Sequence, residues 1–138
     1  MKERRKYNPY EDDKYMSQTM LDHFKKELLD WRGSILNRDI AIREEELQAG
    51  KEPDYKDRNM ITKLREDEYR SLERDIIEID SHLLDEIKHA LDKIDQGKYG
   101  YCEESGDPIG VRRLEIWPIA RTTIEAQKTR DLQDNHTI

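Results

Sequence analysis

Two runs of apolar residues at alternating three- and four-residue spacing, separated by one short gap rich in turn residues, restrict this chain more than any other feature. In the first run Leu21, Phe24, Leu28, Trp31, Ile35, Ile42 and Ala49 keep the spacing, with Arg38 and Glu45 completing the register. That narrow stripe is the seam of a coiled coil, not the wide apolar face of a helix lying on a globular core. Ser17 and Thr19 are candidate N-caps, and Ala49-Gly50 followed by Pro53 is a helix stop. In the second run Tyr69, Leu72, Ile76, Ile79 and Leu83 repeat the pattern. Ile87, Ala90, Leu91 and Ile94 continue it after a shift of four, which reads as a stutter, and Gly97 ends it. The spacing predicts helices over 17–49 and 58–96, roughly 50 and 58 Å long at about 1.5 Å per residue. The turn between them, 50–57 (GKEPDYKD), is short enough that the helices return antiparallel. The expected architecture is a helical hairpin with an exposed tip, in which Asp57 caps the second helix.

Charge fits that shape. Charged residues make up 41% of the 138 and apolar ones 34%, against about 25% charged in an ordinary domain. A thick core over the whole chain is therefore excluded, whereas long helices with one buried stripe need no more than this. The net charge of −7 argues against a protein that coats nucleic acid. Residues 17–96 hold 14 Lys and Arg against 21 Asp and Glu, so the acidity sits in the hairpin. No run approaches the roughly 18 apolar residues of a membrane span, and the basic start Met1–Lys6 is followed by no apolar stretch, as a signal peptide requires. A single cysteine excludes an internal disulfide framework and fits a reducing cytoplasm.

The ends differ from the hairpin. Residues 1–16 form an irregular arm whose sticky groups are Tyr7, Pro9, Tyr10, Tyr15 and Met16. Residues 97–138 form a small head. Ser105-Gly106-Asp107-Pro108 is a turn between two short β-prone runs, Pro118 is placed to open a last helix, and the end from about Leu132 is expected to fray.

Three constellations carry candidate chemistry. Asp54 and Asp57 sit three apart at the tip beside Glu44, Glu45, Glu46 and Glu52, where carboxylates could approach Mg²⁺ or a basic surface of another protein; they serve equally as turn and cap residues. A hydrolase would need a desolvated pocket that a coiled-coil tip does not provide, so catalysis by the chain alone is not expected. Cys102 has no second cysteine to complete a zinc site, and His23, His82, His89 and His136 are scattered. It reads as a small buried hydrophobe, its thiol pKa raised by Glu103 and Glu104. Arg112 and Arg113, with Arg121, Lys128 and Arg130, either contact phosphate or balance nearby glutamates.

The segment YGYCEESGDPIGVRRLEIWPIARTTIEAQKT resembles the globular part of the DksA/TraR family of bacterial transcription factors, and LDHFKKELLDWR at 21–32 resembles the opening of its coiled coil. The resemblance spans nearly the whole chain. It implies a mainly α fold: a long antiparallel coiled-coil hairpin (17–96) between an N-terminal arm (1–16) and a small α+β, degenerate zinc-finger-like head with a C-terminal helix (97–138). It also implies direct binding to RNA polymerase through the secondary channel, not sequence-specific binding to DNA. The tip would approach the active centre and alter open-complex stability and initiation, in some members together with ppGpp in the stringent response. The family's tip motif Asp-x-x-Asp-x-Ala reads Asp54, Asp57 and Asn59 here. Its four zinc positions read Cys102, Ser105, Thr123 and Ala126, so a metal-free head packed around Tyr99, Leu114 and Trp117 is expected. The places of the alarmone-binding basic groups hold Trp117 and Gln127, leaving Arg112, Arg113 and Lys128 as head contacts to polymerase or ppGpp. Two rival functions share the same residues: a structural or adaptor coiled coil docking on another partner, and a cofactor whose tip carboxylates hold Mg²⁺ for transcript cleavage by polymerase.

Overall fold

The computed structural model describes residues 6–49 and 60–136; the tip residues Asp54, Asp57 and Asn59 lie outside the described residues. A short 3₁₀ helix at Pro9–Glu11 is followed by α1 (Gln18–Ala49), α2 (Met60–Asp95), α3 (Val111–Ile116) and α4 (Ile124–His136). Both long helices form where the heptad spacing predicts. The chain divides into two compact units, Met1–Leu29 with Ile87–Ile138, and Asp30–Glu86.

The first unit holds the arm and head. Met20, Phe24 and Leu28 of α1, Ile87 and Ala90 of α2, and Tyr99, Cys102, Ile109, Leu114, Ile119 and Ala120 are buried. Full burial of side chains such as Phe24, Leu28, Ile87 and Leu114 contributes about 1.5–3 kcal/mol each. Ser17 caps α1, its Oγ accepting from the Met20 N–H at 3.1 Å and donating to Asp12 at 2.5 Å. The arm packs through Tyr7, whose ring meets that of His23 at 5.4 Å, and through Tyr15. The Tyr15 hydroxyl donates to the Gly100 carbonyl at 2.6 Å and accepts from the Gly110 N–H at 3.0 Å. Any other residue at Gly100 would be strained: its φ is +93°, and a Cβ there would stand 2.8 Å from the Met16 side chain, which would have to shift.

The head departs from the sequence expectation in three places. Among the described residues the β component is one isolated antiparallel bridge, Tyr101 to Pro108. The run after it coils into α3, with only Leu114 fully buried. Trp117, expected in the core, is 45% exposed. It ends α3, its backbone N–H donating to the Arg113 carbonyl, and Ile109, Ile119 and Ala120 fill the space instead. Pro118 does not open the last helix. Residues 117–120 form a turn closed by the Ala120 N–H on the Trp117 carbonyl and pinned by the Tyr99 hydroxyl on the Pro118 carbonyl at 2.7 Å. Thr123 opens α4 instead, its Oγ1 accepting from the Ala126 N–H at 3.1 Å.

The second unit holds the rest of both long helices. They run antiparallel, because Arg38 reaches Asp80 while Glu45 and Glu46, seven and eight residues further along α1, lie near Glu73, seven residues back along α2. The buried register differs from the expected one by a single residue. On α2 Glu73 and Asp80 are buried and Glu66, Arg70, Ile77 and Leu84 half-buried, a three-four ladder in line with Ile87, Leu91 and Ile94, while Ile76 and Leu83 of the expected seam are half-buried beside it. The predicted seam residues Tyr69, Leu72 and Ile79 are 54, 57 and 59% exposed. On α1 the ladder passes through Ile35, Asp39, Ile42 and Glu46, leaving Arg38 and Glu45 outside. Within this unit Arg38 pairs with Asp80, which satisfies the carboxylate that this register buries.

Candidate functional site

The head is organised around the Cys102 sulfur. The chain reverses in a tight turn: the Gly106 N–H donates to the Cys102 carbonyl at 2.9 Å, and the Cys102 N–H donates to the Asp107 carbonyl at 2.8 Å. Gly106 permits the turn with φ at +77°. The Ser105 N–H then points at the sulfur, 3.4 Å away. Burial pushes the thiol up, but hydrogen bonds from the hydroxyl and N–H of Ser105 and from the N–H groups of Thr123 and Glu104 outweigh it and lower the pKa to about 7. This reverses the sequence expectation. The carboxylates of Glu103 and Glu104 are engaged elsewhere: Glu103 takes His89 at 2.5 Å, Lys93 at 3.3 Å and Arg121 at 3.8 Å, while Glu104 pairs with Arg130. These ion pairs tie the turn to α2 and to α4.

The four expected zinc positions are brought to this one locus. Cys102 and Thr123 are buried, Ala126 is half-buried, and Ser105 is exposed at the turn. The basic residues expected beside them divide. Arg113 is drawn inward, its Nε donating to the Thr122 carbonyl at 2.9 Å, whereas Arg112 and Lys128 are exposed.

Comparison with known proteins identifies this architecture. Residues 97–131 match the family model of the prokaryotic dksA/traR C4-type zinc finger. The chain is 33% identical over 133 residues to the RNA polymerase-binding transcription factor DksA of Caulobacter vibrioides, covering 96% of this chain and 90% of that one. The chain belongs to the DksA/TraR family. It is also 30% identical over 130 residues to DksA of Escherichia coli strain K12, covering 91% of this chain and 83% of that one. The structure of transcription factor DksA2 from Pseudomonas aeruginosa superposes with a TM-score of 0.78 at 31% identity, covering 91% of this chain and 93% of that one.

Within a family whose finger is of C4 type, the donor set of this DksA-like head does not fit zinc. Structural zinc takes four Cys or His ligands. Cys102 supplies one sulfur. Thr123 Oγ1 is committed to the α4 cap, Ser105 Oγ accepts from the Asp107 N–H at 3.3 Å, and Ala126 has no donor atom. The backbone that would present ligands persists, and its N–H groups converge on one sulfur.

Sequence reasoning missed the buried carboxylates of the second unit. Asp80 is held by Arg38 through two guanidinium nitrogens, Nε at 3.2 Å among them. This hydrogen-bonded cation keeps the Asp80 carboxyl below the usual carboxylate range. Burial, then the hydrogen bond with Asp80, raises the Asp39 pKa, and burial raises that of Glu73. Asp39 Oδ1 and Glu73 Oε2 are buried without a hydrogen-bond partner. Counting heptads back from Ile87 reaches Asp80 and Glu73, but the same count from the buried Ala90 reaches Leu83 and Ile76, so periodicity alone does not single them out. Nothing local signals a second missed cluster, His23 with Glu27 and Glu115, because Glu115 is 92 residues from His23.

Proposed function

We propose that this chain is a DksA-type regulator that binds RNA polymerase directly, inserts its hairpin into the secondary channel and modulates open-complex stability during initiation. One observation carries the reading: the match to a relative named an RNA polymerase-binding transcription factor extends over 96% of the chain. The hairpin supports it physically. Its outer part buries Asp39, Glu73 and Asp80 while leaving Tyr69, Leu72 and Ile79 in solvent, an arrangement suited to a helix that is covered by a partner.

In this reading Asp54 and Asp57 act at the tip beside Asn59, and Arg112 and Lys128 are the head groups free to meet polymerase or a phosphate. Regulation needs neither zinc nor chemistry by the chain itself, and ppGpp is dispensable because Trp117 and Gln127 replace basic groups. Among the described residues no helix is long and apolar enough to cross a membrane, in keeping with a cytoplasmic partner of polymerase. Binding shifts the polymerase–promoter equilibrium only by as much as it favours one state. The test is Asp54→Asn with Asp57→Asn. Polymerase binding should persist within about twofold while the effect on open-complex lifetime disappears. A double variant that regulates like the parent overturns the tip assignment, and a parent chain that does not bind polymerase overturns the function.

A further inference from the structure

We propose that His23, Glu27 and Glu115 form a binding site for a divalent transition ion, zinc by chemistry, separate from the family's finger. His23 and Glu27 stand one helical turn apart on the same face of α1. The arm and head then bring Glu115 of α3 alongside. His23 Nε2 lies 2.5 Å from Glu115 Oε1 and 3.7 Å from Glu27 Oε1. One donor atom from each of the three residues lies within 4.8 Å of the other two.

Ligands held about 2.0–2.1 Å from a tetrahedral zinc ion lie about 3.4 Å from one another. The His23–Glu27 separation is already close to that value. Glu115 has to withdraw by about 0.9 Å, a displacement that rotation of its carboxyl group can supply. An imidazole nitrogen and two carboxylates on two elements make a ligand set suited to zinc.

Charge and orientation favour the same occupant. Two carboxylates face one ring nitrogen, which as a donor has a single N–H to give. One carboxylate is therefore left without a partner on the ring, and a divalent ion neutralises both. The imidazole is held between aromatic rings, Tyr7 at 5.4 Å and Phe24 at 5.0 Å, so its Nε2 has a fixed direction. The three residues open on a cavity of about 390 Å³ beneath the arm, which leaves a fourth coordination position accessible to water.

A bound ion would clip α3 to α1, both within the arm-and-head unit. These are not the elements that carry the four finger positions, which lie in the 102–105 turn and at the start of α4. The inference stands independently of polymerase binding.

The experiment uses the full chain stripped with chelator and titrated with Co²⁺, followed by visible absorption, and then with Zn²⁺ in competition. One Co²⁺ per chain is expected, without a sulfur charge-transfer band. Glu115→Gln and His23→Gln should weaken binding at least 30-fold, whereas Cys102→Ser leaves it unchanged. Glu27→Gln, at the most exposed of the three ligands, is the variant that keeps the fold by circular dichroism; it should weaken binding about tenfold. Absence of binding by the parent chain at 1 mM Co²⁺ (roughly −4 kcal/mol at the limit of detection) overturns the proposal. Loss of binding in Cys102→Ser, or retention in Glu27→Gln and Glu115→Gln together, overturns it as well.

Discussion

Arg38→Met isolates the energetics of the polar seam. In the native hairpin the Asp80 side chain is 1% exposed and its cation is Arg38, itself 53% exposed. Removing one partner of a fully buried pair costs about 3–5 kcal/mol, because a desolvated charge is left behind. Here the guanidinium is half in water, so part of the attraction is already screened, and the expected cost is about 2–3 kcal/mol. Methionine keeps most of the aliphatic stem, so little of the loss is packing. With a urea slope of about 2 kcal/mol/M, the unfolding midpoint at pH 7 should fall by about 1–1.5 M. Asp80→Leu placed on top removes the orphaned charge and should recover most of the loss, since hydrophobic replacement of a buried pair is commonly neutral or stabilising. Urea unfolding by circular dichroism, with hydrogen exchange of amides in 30–86, measures both. A midpoint shift below about 0.3 M, or a double variant no more stable than Arg38→Met, would falsify the view that Asp80 is a buried, Arg38-dependent anion.

Three further outcomes follow from the same structure. The raised pKa values of Asp39 and Glu73 mean that the folded state holds their protons more tightly; stability of residues 30–86 should therefore rise as the pH is lowered from 7 through those raised values, and Asp39→Asn with Glu73→Gln should flatten that slope in native-state hydrogen exchange. The Asp80 contribution has the opposite sign, present above the ordinary carboxylate pKa and lost on stronger acidification through its lowered one. The Cys102 thiol, brought to about 7 by its hydrogen bonds, should show an alkylation rate with a midpoint near that pH, and Ser105→Ala should move the midpoint upward; an unmoved midpoint contradicts the assigned donors. Leu72→Lys with Ile79→Lys, both at exposed positions, should leave thermal unfolding within a few degrees of the parent and weaken polymerase binding about tenfold; unchanged affinity would remove this stripe from the docking surface.

Much of the fold was legible in the chain itself. The two helices, their stop at Ala49, the cap at Ser17 and the tyrosine-anchored arm follow from local signals: apolar periodicity, capping hydroxyls and turn residues act within a few positions of where they stand. The seam was not legible to within one residue. Leu72, Ile76, Ile79 and Leu83 spell a better heptad than Glu73, Ile77, Asp80 and Leu84, and helix periodicity alone prefers it. The choice rests on tertiary pairing that the periodicity of one helix does not contain: Arg38 of α1 holds the Asp80 carboxylate of α2 that the observed register buries.

The candidate site divides in the same way. That the head keeps one cysteine where a C4 finger has four is written in residues 102–126, and no structure is needed to see it. Two things were decided only by tertiary packing: that the remaining thiol is acidified, because Glu103 and Glu104 turn to His89, Lys93, Arg121 and Arg130 while backbone N–H groups turn to the sulfur, and that His23 meets Glu115 across 92 residues. Local chemistry fixes which groups a segment carries, but the partner that sets each group's charge comes from a distant segment, and only the folded chain brings the two together.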